Sequence, residues 1–326
     1  MARKEILIAD IGATNVRFAL LEPLSYAFSE LRTGSTRDFS CAEDAIDWYL
    51  QEVSTSILEA ICIAAAGPVI DQCVCFTNNH WKLNAVNIKK TTGVKQVQLL
   101  NDFEAVAYGL PCLEQGDLLS VGGDWSINDC RDFTVAVIGP GSGLGVGGLC
   151  VRNGQRFPLI GEGGHVGFAP ANELQIALLD ALMSKFERVS AERLLSGPGI
   201  QNIYVAICSL NGTTAETLSP AQIMHRAESE RDENCEQAVA LFFEILGQIT
   251  GDLALTMGAR AGVYIGGGIV QKSVDEFLAS KFREGFNSKG RHRDLLEKTP
   301  TWLITHQNAG LVGASFYARE YLSQRS

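Results

Sequence analysis

Asp10 closes an apolar run and leads into the turn Gly12-Ala13-Thr14, after which a second apolar run, Val16 to Leu20, begins. The pattern returns where Phe133 to Ile138 runs into Gly139-Pro140-Gly141-Ser142-Gly143-Leu144-Gly145, followed by a strand-like run to Val151. Each unit reads as strand, glycine-rich turn bearing a hydroxyl, strand. Such turns leave backbone N–H groups uncrowded by side chains, which suits a phosphate. A third glycine turn, Gly266-Gly267-Gly268, follows the short apolar run Gly262 to Ile265. Taken singly, any of these is satisfied by a tight hairpin. Three together, two of them alike and one led by an acidic strand end, point to a nucleotide polyphosphate gripped by two lobes. At the mouth of the first turn, Asp10 either holds Mg²⁺, directly or through water, or closes the turn by an Asx bond.

A second group of residues suits a polyhydroxy ligand. Asn101-Asp102 ends the apolar run Val97 to Leu100 just before a helical pattern. On its own, Asp102 reads as a helix N-cap; in a site it reads as a general base at a sheet edge. The segment Gly161-Glu162-Gly163-Gly164-His165 exposes one acid and one imidazole on a tight backbone. Glu192, in Ser190-Ala191-Glu192-Arg193, adds a third carboxyl. Glu192 also fits a first-turn helix residue favoured by the helix dipole, and His165 a structural histidine. Each sugar hydroxyl both donates and accepts, so Asn101, Asp102, Glu162, His165 and Glu192 together would make a sugar cradle.

These residues need a framework that alternates strands with helices. Residues 5 to 21 read as a strand pair, and 42 to 52 as a helix. Leu58 to Ala66 reads as a buried strand stopped by Gly67-Pro68, and Phe103 to Leu110 as a helix stopped at Pro111. The alternation predicts an α/β domain. A looser, glycine-bearing stretch after Pro111 sets a boundary, giving a small α/β domain over 1–112 and a large one over 113–305. Further helices are expected at Asn172 to Arg188, Ser190 to Leu195, Cys235 to Met257, Ser273 to Phe286 and Ala309 to Leu322, and a strand at Trp302 to Thr305. The last helix, within about 306–326, is expected to return to the small domain. In the helix over 235–257, Gly247 and Gly251 each cost ~1 kcal/mol against Ala, which close packing would offset.

Several function classes are disfavoured. A formal net charge of −10, without a Lys/Arg block, argues against nucleic-acid binding. No Gly-Lys dipeptide occurs, so this is not a P-loop protein, and Gly143-x-Gly145-x-x-Gly148 leads into strand rather than helix, unlike a Rossmann fingerprint. The nine cysteines include no Cys-x-x-Cys pair and read as reduced thiols packed as small hydrophobes. No Cys/His cluster has zinc spacing. No apolar run reads as a signal peptide or a membrane span, so no membrane partner and a cytoplasmic location are expected.

Leu7 to Leu20, with its Asp-Ile-Gly-Ala-Thr-Asn core, resembles the first phosphate motif of the bacterial glucokinases. Five further segments resemble that family in order along the chain. They are Thr77-Asn78-Asn79-His80-Trp81, Leu100 to Phe103, Gly161 to Val166, Val189 to Gly199 and Ile265 to Val270. The resemblance implies the two-lobed actin-like ATPase (ribonuclease H-like) fold with an interdomain cleft, and ATP-dependent phosphorylation of glucose at its 6-hydroxyl. It also implies Asp102 as the base and Asn101, Glu162, His165 and Glu192 as ligands of the sugar hydroxyls. ATP and Mg²⁺ are the implied cofactors and a homodimer the implied assembly. Three positions depart from the family pattern: Ala13 stands for a second glycine, Ser142 for a threonine, and Gly167 for an acidic residue. The zinc motif of the related repressor/open-reading-frame/kinase (ROK) group is absent. A kinase for fructose, mannose or an amino sugar is the nearest alternative. A non-catalytic sugar sensor is more distant, because a sensor needs no base.

Overall fold

The computed structural model describes residues 4–22, 25–53, 57–76, 80–123 and 131–322. Thr77-Asn78-Asn79 of the expected motif and the last four residues lie outside these. The chain divides into two compact units: residues 1–117, 158–160 and 306–326, and residues 118–157 with 161–305.

In the first unit, β1 (Lys4–Ile11) pairs antiparallel with β2 (Asn15–Leu21), and β2 with β3 (Phe28–Ser35). Helix α1 (Ala42–Glu52) leads to β4 (Ile57–Ala65), which runs parallel to β1. A small ribbon of β5 (Cys73–Cys75) and β6 (Lys82–Asn84) precedes α2 (Ala85–Thr92). Then β7 (Gln96–Asn101) lies parallel to β4 and gives way directly to α3 (Asp102–Gly109). The sheet order is β3-β2-β1-β4-β7. Alternate residues of β1 serve opposite faces, as the strand period requires. Leu7, Ala9 and Ile11 pack with Ala45, Ile46 and Tyr49 of α1. Ile6 and Ile8 pack with Leu311, Ala314 and Ala318 near the chain's end.

The second unit repeats the plan. Its strands are β8 (Leu118–Gly122), β9 (Phe133–Pro140), β10 (Leu144–Arg152), β11 (Gln155–Ile160), β12 (Val263–Ile265) and β13 (Thr301–Ile304). The order is β11-β10-β9-β12-β13-β8. In each sheet an antiparallel hairpin is followed outward by two parallel strands: β1 then β4 and β7, and β9 then β12 and β13. The twice-repeated turn therefore sits at the same place in two sheets of one design.

The helices of this unit are α4 (Glu173–Met183), α5 (Gly197–Leu210), α6 (Pro220–His225), α7 (Glu233–Met257), α8 (Gly268–Gln271), α9 (Val274–Ala279), α10 (Phe282–Asn287) and α11 (Arg293–Lys298). Helix α12 (Ala309–Tyr317) belongs to the first unit. Several lengths differ from the pattern-based expectation. Helix α4 begins after Asn172, whose side chain accepts from the Gln175 amide, and ends five residues short of Arg188. Residues 190–195 contain only a 3-10 turn, Ala191–Arg193. The span 273–286 breaks at Ser280 into α9 and α10, and α12 gives way to a π turn over 318–322. Helix α5 is absent from the pattern-based expectation. Ser196 is its N-cap, with Pro198 in the first turn, where a missing N–H costs nothing.

Helix α7 is long and apolar enough to cross a bilayer, although no such run was expected from the sequence. Most of that stretch, 72%, is buried in the protein, so α7 is a core helix. Its glycines are points of close approach. A Cβ on Gly247 would lie 1.9 Å from the Phe282 carbonyl oxygen, and one on Gly251 would lie 2.6 Å from that of Phe286.

Candidate active site

The expected site residues fall into two sets, one in each unit. In the first unit, register places Asp10 beside Ala64 and Leu100, and Ile11 beside Ala65 and Asn101. Asp10 and Asn101-Asp102 therefore share the carboxyl edge of three parallel strands, about 10 Å apart at two strand spacings. Ligands of open α/β sheets bind at this edge.

The first glycine turn is tied down on its carbonyl side. Thr36, which is buried, donates its hydroxyl to the Ala13 carbonyl at 3.0 Å, and its amide donates to the Thr14 carbonyl at 2.9 Å. Gly12 N–H closes the turn on the Asn15 carbonyl at 2.9 Å. With the carbonyls engaged inward, the Ala13 and Thr14 amides have no protein acceptor among the described residues, and Thr14 is exposed. Ala13, at the position where a second glycine resembles the family pattern, leaves its amide in place.

Asp10 is not an isolated metal ligand. Arg17, directly opposite it on β2, donates Nη1 to Oδ2 at 3.0 Å. Burial pushes the Asp10 carboxyl above its ordinary pKa, and the Arg17 guanidinium pulls against that shift. Gly310, in the first turn of α12, faces the same carboxylate, and a Cβ there would come within 3.3 Å of Oδ2. No group of three or more His, Cys, Asp or Glu side chains among the described residues could cage a metal. One carboxylate beside a turn with unengaged amides does fit Mg²⁺, which takes one or two protein carboxylates and fills its shell with phosphate oxygens and water.

The helix cap belongs to Asn101, not Asp102. Asn101 Oδ1 accepts from the Phe103 and Glu104 amides at 2.9 and 3.1 Å, and Glu104 returns the bond to the Asn101 amide, closing a capping box. Asn101 Nδ2 donates to the Gly67 carbonyl at 3.0 Å, so this side chain mainly holds the backbone. Asp102 occupies the first helical position, with Oδ1 3.0 Å from the Phe103 amide. Gln72, unnoticed in the sequence, pairs its amide with both backbone groups of Leu99, accepting at 2.8 Å and donating at 3.3 Å. It acts as a one-residue strand against the free edge of β7, two residues before Asn101.

In the second unit, three segments meet the second turn. Gly141 N–H bonds the Gly143 carbonyl at 2.8 Å, and the Gly141 carbonyl accepts from Gly197 N–H at 2.8 Å. The Ser142 and Gly143 amides have no protein acceptor among the described residues. The third turn adjoins from β12: Gly266 N–H donates to the Ile138 carbonyl at 2.8 Å. Gly267 has φ +83°, and a Cβ there would stand 2.4 Å from the Pro140 oxygen, so glycine is required twice over.

The loop bearing Glu162 and His165 lies along the first residues of β10. Gly163 rests against Val146, and a Cβ on Gly164 would fall 2.2 Å from the Leu144 oxygen. Beyond it, Phe168 N–H bonds the Val189 carbonyl at 3.1 Å and Ala191 N–H the Val166 carbonyl at 2.9 Å, which brings the Glu192 segment alongside. Glu162 and His165 are exposed and Glu192 is half-buried. Glu192 is no solvated helix residue: its Oε2 accepts from the Leu144 amide at 2.9 Å. At the departing position, Gly167, the nearest atom to an added Cβ is Arg188 Nη2 at 3.9 Å. An acid there would have faced that guanidinium, which here donates to the His165 carbonyl at 2.8 Å.

Two sheets of one plan, each opening its hairpin at a carboxyl edge and one flanked by carboxylates, define a kinase of the actin-like ATPase fold. The family model described as Glucokinase matches residues 7–321. A glucokinase of Salmonella heidelberg is 40% identical over 319 residues, 98% of either chain. Among solved structures, a glucokinase from an Antarctic psychrotroph has a TM-score of 0.84 at 33% identity, covering 96% of this chain and 98% of its own. A glucokinase of Balamuthia mandrillaris in complex with glucose has a TM-score of 0.78 at 23% identity, covering 97% and 94%. The chain belongs to the glucokinase family.

Proposed function

We propose that glucose is phosphorylated at its 6-hydroxyl with Asp102 as general base, and that Asn101, Glu162, His165 and Glu192 hold the other hydroxyls. The observation that carries this reading is the division of labour at the start of α3. Asn101 does the capping, so the Asp102 carboxylate is not needed to begin the helix. Asp102 takes the proton of the 6-hydroxyl, the alkoxide-like oxygen attacks the γ-phosphorus, and the bond to the β,γ-bridging oxygen breaks to release ADP. Phosphoryl transfer of this kind depends on positioning and charge neutralisation more than on covalent chemistry. In this reading the Ala13 and Thr14 amides, with those of Ser142 and Gly143, serve the phosphates, Gly12 and Gly141 shape the turns by closing them on the Asn15 and Gly143 carbonyls, and Gly266 and Gly267 pack the second turn in place. Asp10 would hold Mg²⁺, directly or through water. That ion would offset phosphate charge, and Arg17 aims the Asp10 carboxylate and opposes the upward shift that burial imposes on it.

Glucose is the expected hexose. A coupled assay of ADP release over a panel of hexoses, with and without Mg²⁺, should give the highest kcat/KM with glucose, fructose far behind, and no turnover without the ion. A panel led by fructose or an amino sugar would remove the glucose assignment and leave the kinase class intact. We place the enzyme in the cytoplasm as a homodimer, which the family resemblance supports.

A further inference from the structure

We propose that Gly143, in the phosphate turn, is a positioning residue for the sugar: it forms the seat in which the Glu192 carboxylate lies. The proposal rests on the reading of Glu192 as a hydroxyl ligand and deepens it. Gly143 has no left-handed φ, so its backbone does not call for glycine. What calls for glycine is one neighbour. A Cβ on Gly143 would stand 2.6 Å from Glu192 Oε2 and 3.4 Å from Cδ and, its chain neighbours aside, would meet no other atom of the described residues inside 4 Å. Gly141, two residues earlier in the same turn, has open space around its Cβ position. Two glycines of one turn thus answer to different demands.

Glu192 cannot retreat as a whole. Its carbonyl accepts from the Ser196 hydroxyl at 2.8 Å, and Ala191 N–H is bonded to Val166. Oε2 is committed to the Leu144 amide, so the side-chain rotamer is set by the turn. The other carboxylate oxygen is then offered in one direction, which is the pre-organisation a hydroxyl ligand needs. A methyl group on Gly143 pushes the carboxylate off the Leu144 amide and turns the second oxygen away. The phosphate turn therefore sets the sugar carboxylate within the second unit alone. A sugar hydroxyl that fixes Glu192 also fixes the turn, and the linkage between sugar and nucleotide is reciprocal.

The test is a double-mutant cycle read by calorimetric glucose binding without nucleotide, using wild type, Gly143→Ala, Glu192→Ala, the double variant and Gly141→Ala, with AMP-PNP titrated in parallel. Losing a hydrogen bond to a charged group lowers affinity by roughly ten- to a hundred-fold. Gly143→Ala and Glu192→Ala should each weaken glucose by about that factor, and Gly143→Ala should add nothing once Glu192 is Ala. Gly141→Ala should bind glucose as wild type does. A Gly143→Ala protein that loses only AMP-PNP affinity, additive losses in the double variant, or an equal loss in Gly141→Ala each overturn the proposal. Unchanged glucose binding in Glu192→Ala overturns the reading beneath it. If Gly143→Ala melts early, the double variant, which lacks the clash, must regain the melting temperature of Glu192→Ala. Failure to regain it also overturns the proposal.

Discussion

Replacing Asp102 by Asn should lower kcat by ~10²–10⁴-fold, the usual contribution of a general base, while glucose affinity changes far less. The substitution removes the proton acceptor and keeps a group that can hydrogen-bond the 6-hydroxyl. The capping box between Asn101 and Glu104 is untouched, so α3 should start where it does now. The substitution also removes a first-turn negative charge, worth ~0.3–1 kcal/mol against the helix dipole. Melting should shift little. Were Asp102 only a structural residue at the head of the helix, turnover would stay near normal and any effect would appear in stability. Single-turnover rates with a parallel glucose titration separate the two. Turnover within a few-fold of wild type would falsify the assignment of Asp102 as base.

The second large effect is on the fold behind that residue. Gly313→Ala should destabilise the first unit although alanine favours helix by ~1 kcal/mol over glycine. A Cβ on Gly313 would stand 1.6 Å from the Ala105 carbonyl oxygen and 2.3 Å from its carbon. A Cβ on Gly109 would in turn meet the Gly313 amide at 2.8 Å, so α3 and α12 touch backbone to backbone. No rotamer change relieves a clash with main chain; one helix must move. Overpacking costs typically ~1–3 kcal/mol, and contact with a backbone belongs at the upper end. Thermal melting should fall by several degrees, at about 2–4 °C per kcal/mol for a domain of this size. Because α3 begins at Asp102, kcat should drop along with stability. Gly116→Ala, with open space around its Cβ position, is the control. Equal melting of the two variants would show that the α3–α12 contact yields more easily than its distances imply.

The parts of the site built from local pattern were legible in the sequence. A glycine turn between two apolar strands has one simple fold, so both hairpin turns lie where the pattern puts them. Register did the rest, setting Asp10 opposite Arg17 and level with Leu100. Arg17 was itself recoverable, since a hairpin centred on residues 13–14 must face positions 10 and 17. What escaped notice was non-local or depended on a side chain acting as backbone. Thr36 reaches the first turn from 22 and 23 residues away in sequence. Gln72 imitates a strand, which no periodicity announces. Glu192 finds the Leu144 amide across 48 residues. Helix α5 opens on Gly197-Pro198-Gly199, residue types that usually punctuate loops, although at a helix start Pro is pre-formed for the first turn. The misplaced cap has the same origin: Asn and Asp are equally good caps, so only the register of α3 chooses between neighbours.

The return of the last helix to the first unit has a consequence for synthesis. Ile6, Ile8, Ala60, Cys62 and Ala64 have their cover in Leu311, Ala314 and Ala318. A ribosome that has finished β7 at Asn101 must make the whole second unit before that cover exists, roughly 10–40 s at usual elongation rates. The nascent chain carries one apolar sheet face covered only in part, by α3, throughout, while the nearly contiguous second unit can close as soon as β13 emerges. Stalled nascent chains ending near residue 305, once clear of the exit tunnel, should then show a protease-resistant second unit and a digestible first one. A first unit already resistant at that length would mean that its sheet does not wait for α12. Helix α3 is made before any of the second unit, yet it acquires its backing only from α12, which is made after that unit.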